Sequence, residues 1–538
     1  MDRTGSDYVL DALASEGVTE LFGLIGEGNA HFLDRTGDHD IPFRYARHEQ
    51  VAVSMADGYA RTTGNVGVCT LTHGPGVTNG ATGLAIAESD NIPLVVLVGD
   101  VDGPGHENSL QYLDHLAFTD KITVYGTRAA SPAELPGTLA TAFDTARTER
   151  GPVVVELPGS VQEADAPAED YHPIDRPSQQ VRPDADRLAD AVDLLADADA
   201  PLVLAGGGAG PYGDAVADLA EHVGAPIVTT FYAKGMLDDD HPYLAGIGGT
   251  FMTPAAGEAA DAADVVLALG AQLSGKTTRY GALYDDADVI QVDIDHGAIA
   301  THTDPAVKVV GDAESTALEL SERLPANPER AADVRDAIAT ADDPQTGPFH
   351  TTDETVDPAE LTVELANMLP GDEVVTVDSG NNTGFPPVYH DLDRGGRMLA
   401  NGNFGTMGYA LPAALGASVA DDSTPSVCYI GDGAFLQVIQ DIETAVRFDL
   451  PVLVVVYNDE SYGIIRHRQQ LDFDRATAAE YESADFAAIA RGFGAQGVTV
   501  RDIDDLDAVA DYLADPNGPM VVDARTNPAV SRPGFPPY

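Results

Sequence analysis

Two carboxylates carry the strongest chemical signal in this chain. Gly431-Asp432-Gly433 follows the apolar run Ser426 to Ile430, and Asn458-Asp459-Glu460-Ser461-Tyr462-Gly463 follows a second run, Val452 to Tyr457. Between them Phe435, Val438, Ile439, Ile442 and Val446 recur at helical spacing, which predicts a helix from about Phe435 to Arg447. A strand–helix–strand crossover is right-handed and makes its two strands parallel, so both strands end at one rim of a sheet. Ligands of doubly wound folds bind at that rim. Asp432 and Asp459, 27 positions apart, can then approach one cation. The glycines let backbone N–H groups and the positive end of the helix face a phosphate. Magnesium suits such a place, because it prefers six oxygens and takes part of its shell from a ligand's phosphates. Gly-Asp-Gly alone is a common strand-to-helix turn. The second oxygen ligand at the end of the next strand is what raises it to a metal-site expectation.

The elements that must position these residues alternate short β-rich runs with amphipathic helices, the pattern of an α/β protein with parallel sheets. A chain of 538 residues is too long for one core. Three units separate, each expected to be a doubly wound parallel sheet: residues 1–162, 184–324 and 358–527. The first holds strands such as Val66 to Leu71 and Leu94 to Val98. The second holds the glycine run Gly206-Gly207-Gly208 and strands Val265 to Leu269 and Val289 to Ile294. The third adds Val374 to Val377 to the two strands above. A polar stretch from Glu163 to Pro183 reads as a linker, and a second, Pro325 to Asp357, as partly helical. The first and third units read as the same kind of module.

Hydrophobic residues at 44% and charged residues at 22% describe a soluble globular chain. Its longest apolar stretches, such as Pro451 to Tyr457 and Pro93 to Val98, are strand-length and too short to cross a bilayer. Met1 leads into Asp2 and Arg3 rather than an apolar run, so no signal peptide is expected and the cytoplasm is the expected compartment. Cys69 and Cys428, the only cysteines, are too few for a disulfide scaffold or a zinc site and read as buried small hydrophobes. Asp and Glu total 87 against 29 Lys and Arg, a formal net charge of −58. Self-repulsion of that size destabilises a compact chain in low salt. At molar salt the Debye length falls to about 3 Å and the repulsion is screened. A cytoplasm of very high salt is therefore expected. The same field excludes nucleic acid and anionic membrane as partners.

Gly431-Asp432-Gly433 with Asn458-Asp459 resembles the diphosphate–metal motif of thiamine diphosphate enzymes. Four further segments resemble the acetolactate synthase-like branch of that family, the group of acetohydroxyacid synthase, benzoylformate decarboxylase and pyruvate oxidase. They are Arg47-His-Glu-Gln50 running into Ala56-Asp-Gly-Tyr-Ala-Arg61, Thr72-His-Gly-Pro-Gly-Val-Thr-Asn79, Asp378-Ser-Gly-Asn-Asn-Thr383, and Gly405-Thr-Met-Gly-Tyr-Ala-Leu-Pro-Ala-Ala-Leu-Gly-Ala417. The resemblance spans nearly the whole chain and implies a pyrimidine-binding, a central and a diphosphate-binding domain, in that order. Carried over by position, it implies that Asp432, the side chain of Asp459 and the backbone carbonyl of Ser461 hold magnesium. Gly433 and Ala434 would offer N–H groups to the diphosphate, with Asn381 and Asn382 as further donors. Many relatives have Asn where Asp459 stands; the extra carboxylate should bind magnesium more tightly and repel the diphosphate more. Glu49 would hydrogen-bond N1′ of the aminopyrimidine, the contact through which the cofactor loses its thiazolium C2 proton. Met407 would wedge under the cofactor, and backbone groups of Gly405 and Met407 would bind the pyrimidine edge. His73 stands where serine is common and reads equally as an acid–base group or a buried, hydrogen-bonded histidine. Gln111 matches a family glutamine that faces the substrate.

The activity the resemblance implies is acetolactate synthase-type: decarboxylation of pyruvate and addition of the two-carbon unit to a second 2-keto acid, in the setting of branched-chain amino-acid biosynthesis. Rival readings are a 2-keto-acid decarboxylase of benzoylformate type, an FAD-dependent pyruvate oxidase, and a non-catalytic paralogue. Intact Glu49, Asp432 and Asp459 speak against the last. The glycine run at Gly206 invites FAD, but the Arg-Phe-Asp-Asp-Arg stretch of flavin-binding synthases is replaced by Ala271-Gln-Leu-Ser-Gly-Lys276. The implied partners are a second copy of the chain, as a dimer or dimer of dimers with each active site across the interface, and a regulatory small subunit.

Overall fold

The computed structural model describes residues 3–101, 108–176 and 180–535. Each unit builds one six-stranded sheet in which every pairing is parallel. The first sheet contains β1 (Leu21–Gly23), β2 (Phe43–Tyr45), β3 (Gly67–Leu71), β4 (Leu94–Asp100), β5 (Tyr125–Arg128) and β6 (Pro152–Pro158), in the order β2-β1-β3-β4-β6-β5. The central sheet contains β7 (Pro201–Ala205), β8 (Ile227–Thr229), β9 (Leu244–Ile247), β10 (Val265–Leu269), β11 (Asp288–Asp293) and β12 (Val307–Val310), in the order β12-β11-β10-β7-β8-β9. The third contains β13 (Val374–Val377), β14 (Arg397–Leu399), β15 (Ser426–Gly431), β16 (Val452–Asn458), β17 (Gln496–Val500) and β18 (Met520–Arg525), in the order β14-β13-β15-β16-β18-β17. Helices cover both faces, so a central strand such as β16 is buried along its whole length and carries a continuous apolar run.

The first and third sheets have one strand order, place for place, as expected of two copies of one module. The central sheet instead has the order of dinucleotide-binding folds. Its glycine run serves a close crossing there. A Cβ on Gly206 would lie 2.2 Å from the Gly270 carbonyl oxygen, and one on Gly208 would lie 3.0 Å from Gly270 Cα. The stretch after the central sheet is partly helical, as expected. It forms the helix Pro328–Thr340, whose Ala331 joins the central core while Arg330 donates to the carbonyls of Ala198 and Val223.

The first and third units share a core. Helix Glu49–Thr63 lies against the small-residue helix Ala410–Ala420. A Cβ on Gly416 would sit 2.0 Å from the Met55 carbonyl oxygen, and one on Gly58 2.3 Å from that of Ala413, so glycine on each helix permits the approach. The helix expected from Phe435 to Arg447 differs in two ways. It begins at Asp432, and a 3₁₀ turn at Ile439–Asp441 divides it into Asp432–Val438 and Ile442–Arg447. The turn swings the buried Asp441 toward the first unit, where its carboxylate accepts from the Arg47 N–H at 2.8 Å and from the Thr444 hydroxyl. Cys69 and Cys428 are free and buried, and burial pushes both thiols well above their ordinary range. Among the described residues no helix is long and apolar enough to cross a membrane.

Candidate functional site

A cavity of about 430 Å³ opens where β13, β15 and β16 end, beside the point at which the strand order of the third sheet reverses. Asn381, Asn382, Gly405, Met407, Asp432, Gly433, Ala434, Asp459 and Ser461 all line it. The register Gly431↔Tyr457 sets the ends of β15 and β16 side by side, which brings Asp432 and Asp459 to the same rim.

Asp432 is 2% exposed. Its Oδ1 accepts from the Gly433 N–H at 2.9 Å, while Oδ2 is buried with no hydrogen-bond partner among the described residues. The Tyr481 hydroxyl, beside Gly433, is also buried without a hydrogen bond of good geometry, yet it lies close enough to Asp432 to favour that carboxylate's charged form. Asp459 Oδ1 accepts from the Ser461 N–H at 3.1 Å and the Ser461 hydroxyl at 2.9 Å. Burial, with the negative charge of Asp459 as second cause, pushes the Asp432 carboxyl up to about 7. Burial pushes that of Asp459 up to about 6. A buried carboxylate, Asp432, and a half-buried one, Asp459, whose charges repel each other are the state that a divalent cation relieves. An all-oxygen donor set fits magnesium, calcium or manganese rather than a softer metal. Glycines keep the space open: a Cβ on Gly463 would meet Asp459 Oδ2 at 2.5 Å, and one on Gly433 would meet the Tyr462 ring at 2.7 Å.

Three expected donors are already engaged. The Gly433 N–H bonds Asp432. The Asn382 amide donates to the carbonyls of Asp378 at 2.9 Å and Tyr429 at 3.4 Å, which uses both of its hydrogens. Asn381 donates to the Val530 carbonyl and accepts from the Arg532 N–H, so it pins the C-terminal tail and keeps one N–H for a ligand. One residue that the motifs left unassigned organises the other side of the cavity. Asp378, wholly buried, accepts from the N–H groups of Ser379, Gly408, Tyr409 and Ala410 at 2.8–3.1 Å. It ties the end of β13 to the turn that carries Met407 and starts helix Ala410–Ala420. Burial, opposed by these N–H bonds, leaves its carboxyl at about 6. The signal for it was an aspartate directly after a strand, thirty positions before a glycine turn.

Glu49 is the first residue of helix Glu49–Thr63 and is buried, and Asn79 Nδ2 donates to its Oε2 at 3.0 Å. It lines no part of the cavity in the third unit. His73 is buried against Gly28, where a Cβ would lie 2.4 Å from its Nδ1. That nitrogen has no hydrogen-bond partner among the described residues, which departs from the satisfied core histidine of one reading. Gln111 is exposed with a left-handed backbone (φ 63°), and its carbonyl oxygen lies against Gly74.

Comparison with known proteins gives matches along most of the chain. Family models of the thiamine pyrophosphate enzymes match as N-terminal TPP binding domain over residues 3–120, central domain over 188–320 and C-terminal TPP binding domain over 378–524. The chain is 31% identical to a probable acetolactate synthase large subunit of Methanocaldococcus jannaschii, over 99% of this chain and 93% of that protein. It is 32% identical to the acetolactate synthase isozyme 2 large subunit of Escherichia coli, over 96% of this chain and 94% of that protein. It is also 32% identical to a sulfoacetaldehyde acetyltransferase of Castellaniella defragrans, over 94% and 89% of the two chains.

Proposed function

This chain belongs to the thiamine pyrophosphate enzyme family, and we propose that it is an acetolactate synthase-type carboligase of a high-salt cytoplasm. The observation that carries the cofactor reading is the facing pair Asp432 and Asp459 with its orphaned oxygen, at the strand-order reversal of a sheet. In this reading Asp432, Asp459 and the Ser461 carbonyl would hold magnesium, which would supply the counter-charge for a diphosphate. The Ala434 N–H and the remaining N–H of Asn381 contact the phosphates. Met407 supports the cofactor's bend, and Glu49 holds and moves a proton at pyrimidine N1′. Bound thiamine diphosphate supplies the carbon nucleophile and electron sink that decarboxylation of a 2-keto acid requires. We propose no FAD, because Gly206 and Gly208 serve the close crossing with Gly270 and Ala271-Gln-Leu-Ser-Gly-Lys276 stands where flavin-binding synthases carry Arg-Phe-Asp-Asp-Arg.

Glu49 lies outside the cavity that its own chain forms with the metal loop. We infer that the pyrimidine contact comes from a second copy, giving a two-fold dimer with two equivalent sites. Relatives named large subunits support a regulatory small subunit as a further partner. The acetyltransferase among the relatives favours one second reading, transfer of the two-carbon unit to a non-keto-acid acceptor. The test is a panel of 2-keto acids and sulfoacetaldehyde in concentrated KCl with thiamine diphosphate and magnesium, with and without inorganic phosphate, products identified by mass spectrometry. Acetolactate from pyruvate supports the proposal. Free aldehyde makes the protein a simple decarboxylase, and acetyl phosphate formed from sulfoacetaldehyde and phosphate, with sulfite as the leaving group, makes it an acetyltransferase.

A further inference from the structure

Asp100, His115, Arg128 and Glu156 form a buried polar cluster in the first unit that belongs to none of the motifs above. His115 is 0% exposed, Glu156 5% and Asp100 6%. Arg128 Nη1 donates to Asp100 and, at 2.9 Å, to Glu156. Ligand atoms of Asp100, His115 and Glu156 lie within 4.8 Å of one another, a spacing a metal ion could use. The guanidinium already supplies a cation to both carboxylates, so the cluster is accounted for without a metal.

Its output is a single hydrogen bond. An ionised carboxylate only accepts, so His115 Nδ1, 3.0 Å from Glu156 Oε1, carries the ring proton. The Nε2 of that neutral ring is an acceptor, and the Gly74 N–H donates to it at 2.9 Å. Gly74 is the N-cap of helix Pro75–Ser89, adopts φ +61°, and has no side chain with which to cap. A Cβ there would lie 2.1 Å from the Gln111 carbonyl oxygen, so the turn is held between His115 and the segment that leads to it. The first turns of that helix face Glu49. Asn79 donates to Glu49 Oε2 at 3.0 Å, and the Cβ position of Gly76 is 3.8 Å from Glu49 Oε1.

We propose that His115, its tautomer set by Glu156, is a positioning residue that fixes the Gly74 turn and through Asn79 orients the Glu49 carboxylate. The proposal rests on the reading of Glu49 as the group that handles a proton at the pyrimidine. His115→Leu removes the acceptor at similar volume, and His115→Gln keeps one. The double variant His115→Leu/Glu156→Gln also removes the carboxylate charge that His115 no longer meets, and carries the test if the single Leu variant does not fold. In cofactor-free protein in 2 M KCl, amide exchange of the peptide spanning residues 72–79 is followed by mass spectrometry. Exchange at Gly74 should be slow in wild type and His115→Gln, and at least about tenfold faster in the Leu variants. In the loaded enzyme the Leu variants should lose about ten- to hundredfold in kcat, with KM and cofactor Kd within about threefold of wild type. His115→Gln should recover most of that loss. Wild-type exchange and kcat in the Leu variants overturn the proposal, as does a loss in His115→Gln as deep as in His115→Leu. Glu49→Gln assayed alongside separates the two readings. Turnover surviving Glu49→Gln overturns the role of Glu49, whereas a dead Glu49→Gln beside fully active Leu variants overturns that of His115 alone.

Discussion

Asp432→Asn should stabilise the metal-free protein and abolish its response to magnesium. Asparagine keeps an oxygen to accept from the Gly433 N–H and removes the charge that burial and Asp459 oppose. The folded chain binds the Asp432 proton up to about pH 7, whereas the ordinary aspartate value is 3.8. Between those values the unfolded chain binds fewer protons, so stability falls as pH rises and is lowest above 7. At about 1.4 kcal/mol per pH unit, that loss amounts to about 4 kcal/mol across the window. The variant does not suffer it. In chelator, at pH 8 and 2 M KCl, it should be more stable than wild type by about 2–4 kcal/mol, the lower figure allowing for Asp459 relaxing in either protein. Calorimetry should record this as a melting temperature several degrees higher. Near pH 4 the two proteins should coincide. Added magnesium and thiamine diphosphate should then raise the wild type and leave the variant unmoved, because only a chain that binds the ligand gains stability from it. A variant that melts at or below wild type at pH 8 in chelator would refute the repulsive pair. Continued stabilisation of the variant by magnesium would refute the site.

Magnesium affinity should itself depend on pH. With carboxyls at about 7 and about 6 that must ionise to bind, it should fall about tenfold between pH 7 and pH 6, measured by calorimetric titration with proton release followed in two buffers. Glu49→Gln should fold and bind cofactor normally while slowing exchange of the thiazolium C2 proton by at least ~10²-fold, read by NMR of the quenched cofactor. Melting temperature and activity should rise steeply between about 0.1 and 2 M KCl as the net charge of −58 is screened, and a flat profile would give the acidic surface another purpose.

Much of the site could be read from the sequence because its signals are local. A strand that ends in Gly-Asp-Gly and a second that ends in Asn-Asp declare themselves by apolar runs and turn residues, and parallel pairing then fixes where they meet. The repeat of one module in the first and third units was legible for the same reason, and their identical strand orders follow. What escaped depends on contacts between distant segments. Periodicity carried a helix through Ile439–Asp441, but the bond from the Arg47 N–H to Asp441, nearly 400 positions away, breaks it there. Asn381 had the type and place of a phosphate donor, yet the returning tail claims most of its amide. Asp378 opens the segment whose asparagines were expected to bind the diphosphate, and no role was expected of it. Only the fold of helix Ala410–Ala420 back onto β13 adds the N–H groups of Gly408, Tyr409 and Ala410 to the local one of Ser379. The partners of Glu49 were equally hidden, since Asn79 reaches it across two helices and His115 acts through a backbone amide.

One cofactor should be shared by Glu49 of one chain and the Asp432–Asp459 loop of another. Mixing inactive Glu49→Gln chains with inactive Asp432→Ala chains in equal amounts tests it directly. Each heterodimer would pair one doubly damaged site with one site built wholly from intact halves. Random exchange should therefore restore about a quarter of wild-type activity. If mass spectrometry shows that subunits have exchanged and no activity returns, each chain builds its site alone and the shared-site account is wrong.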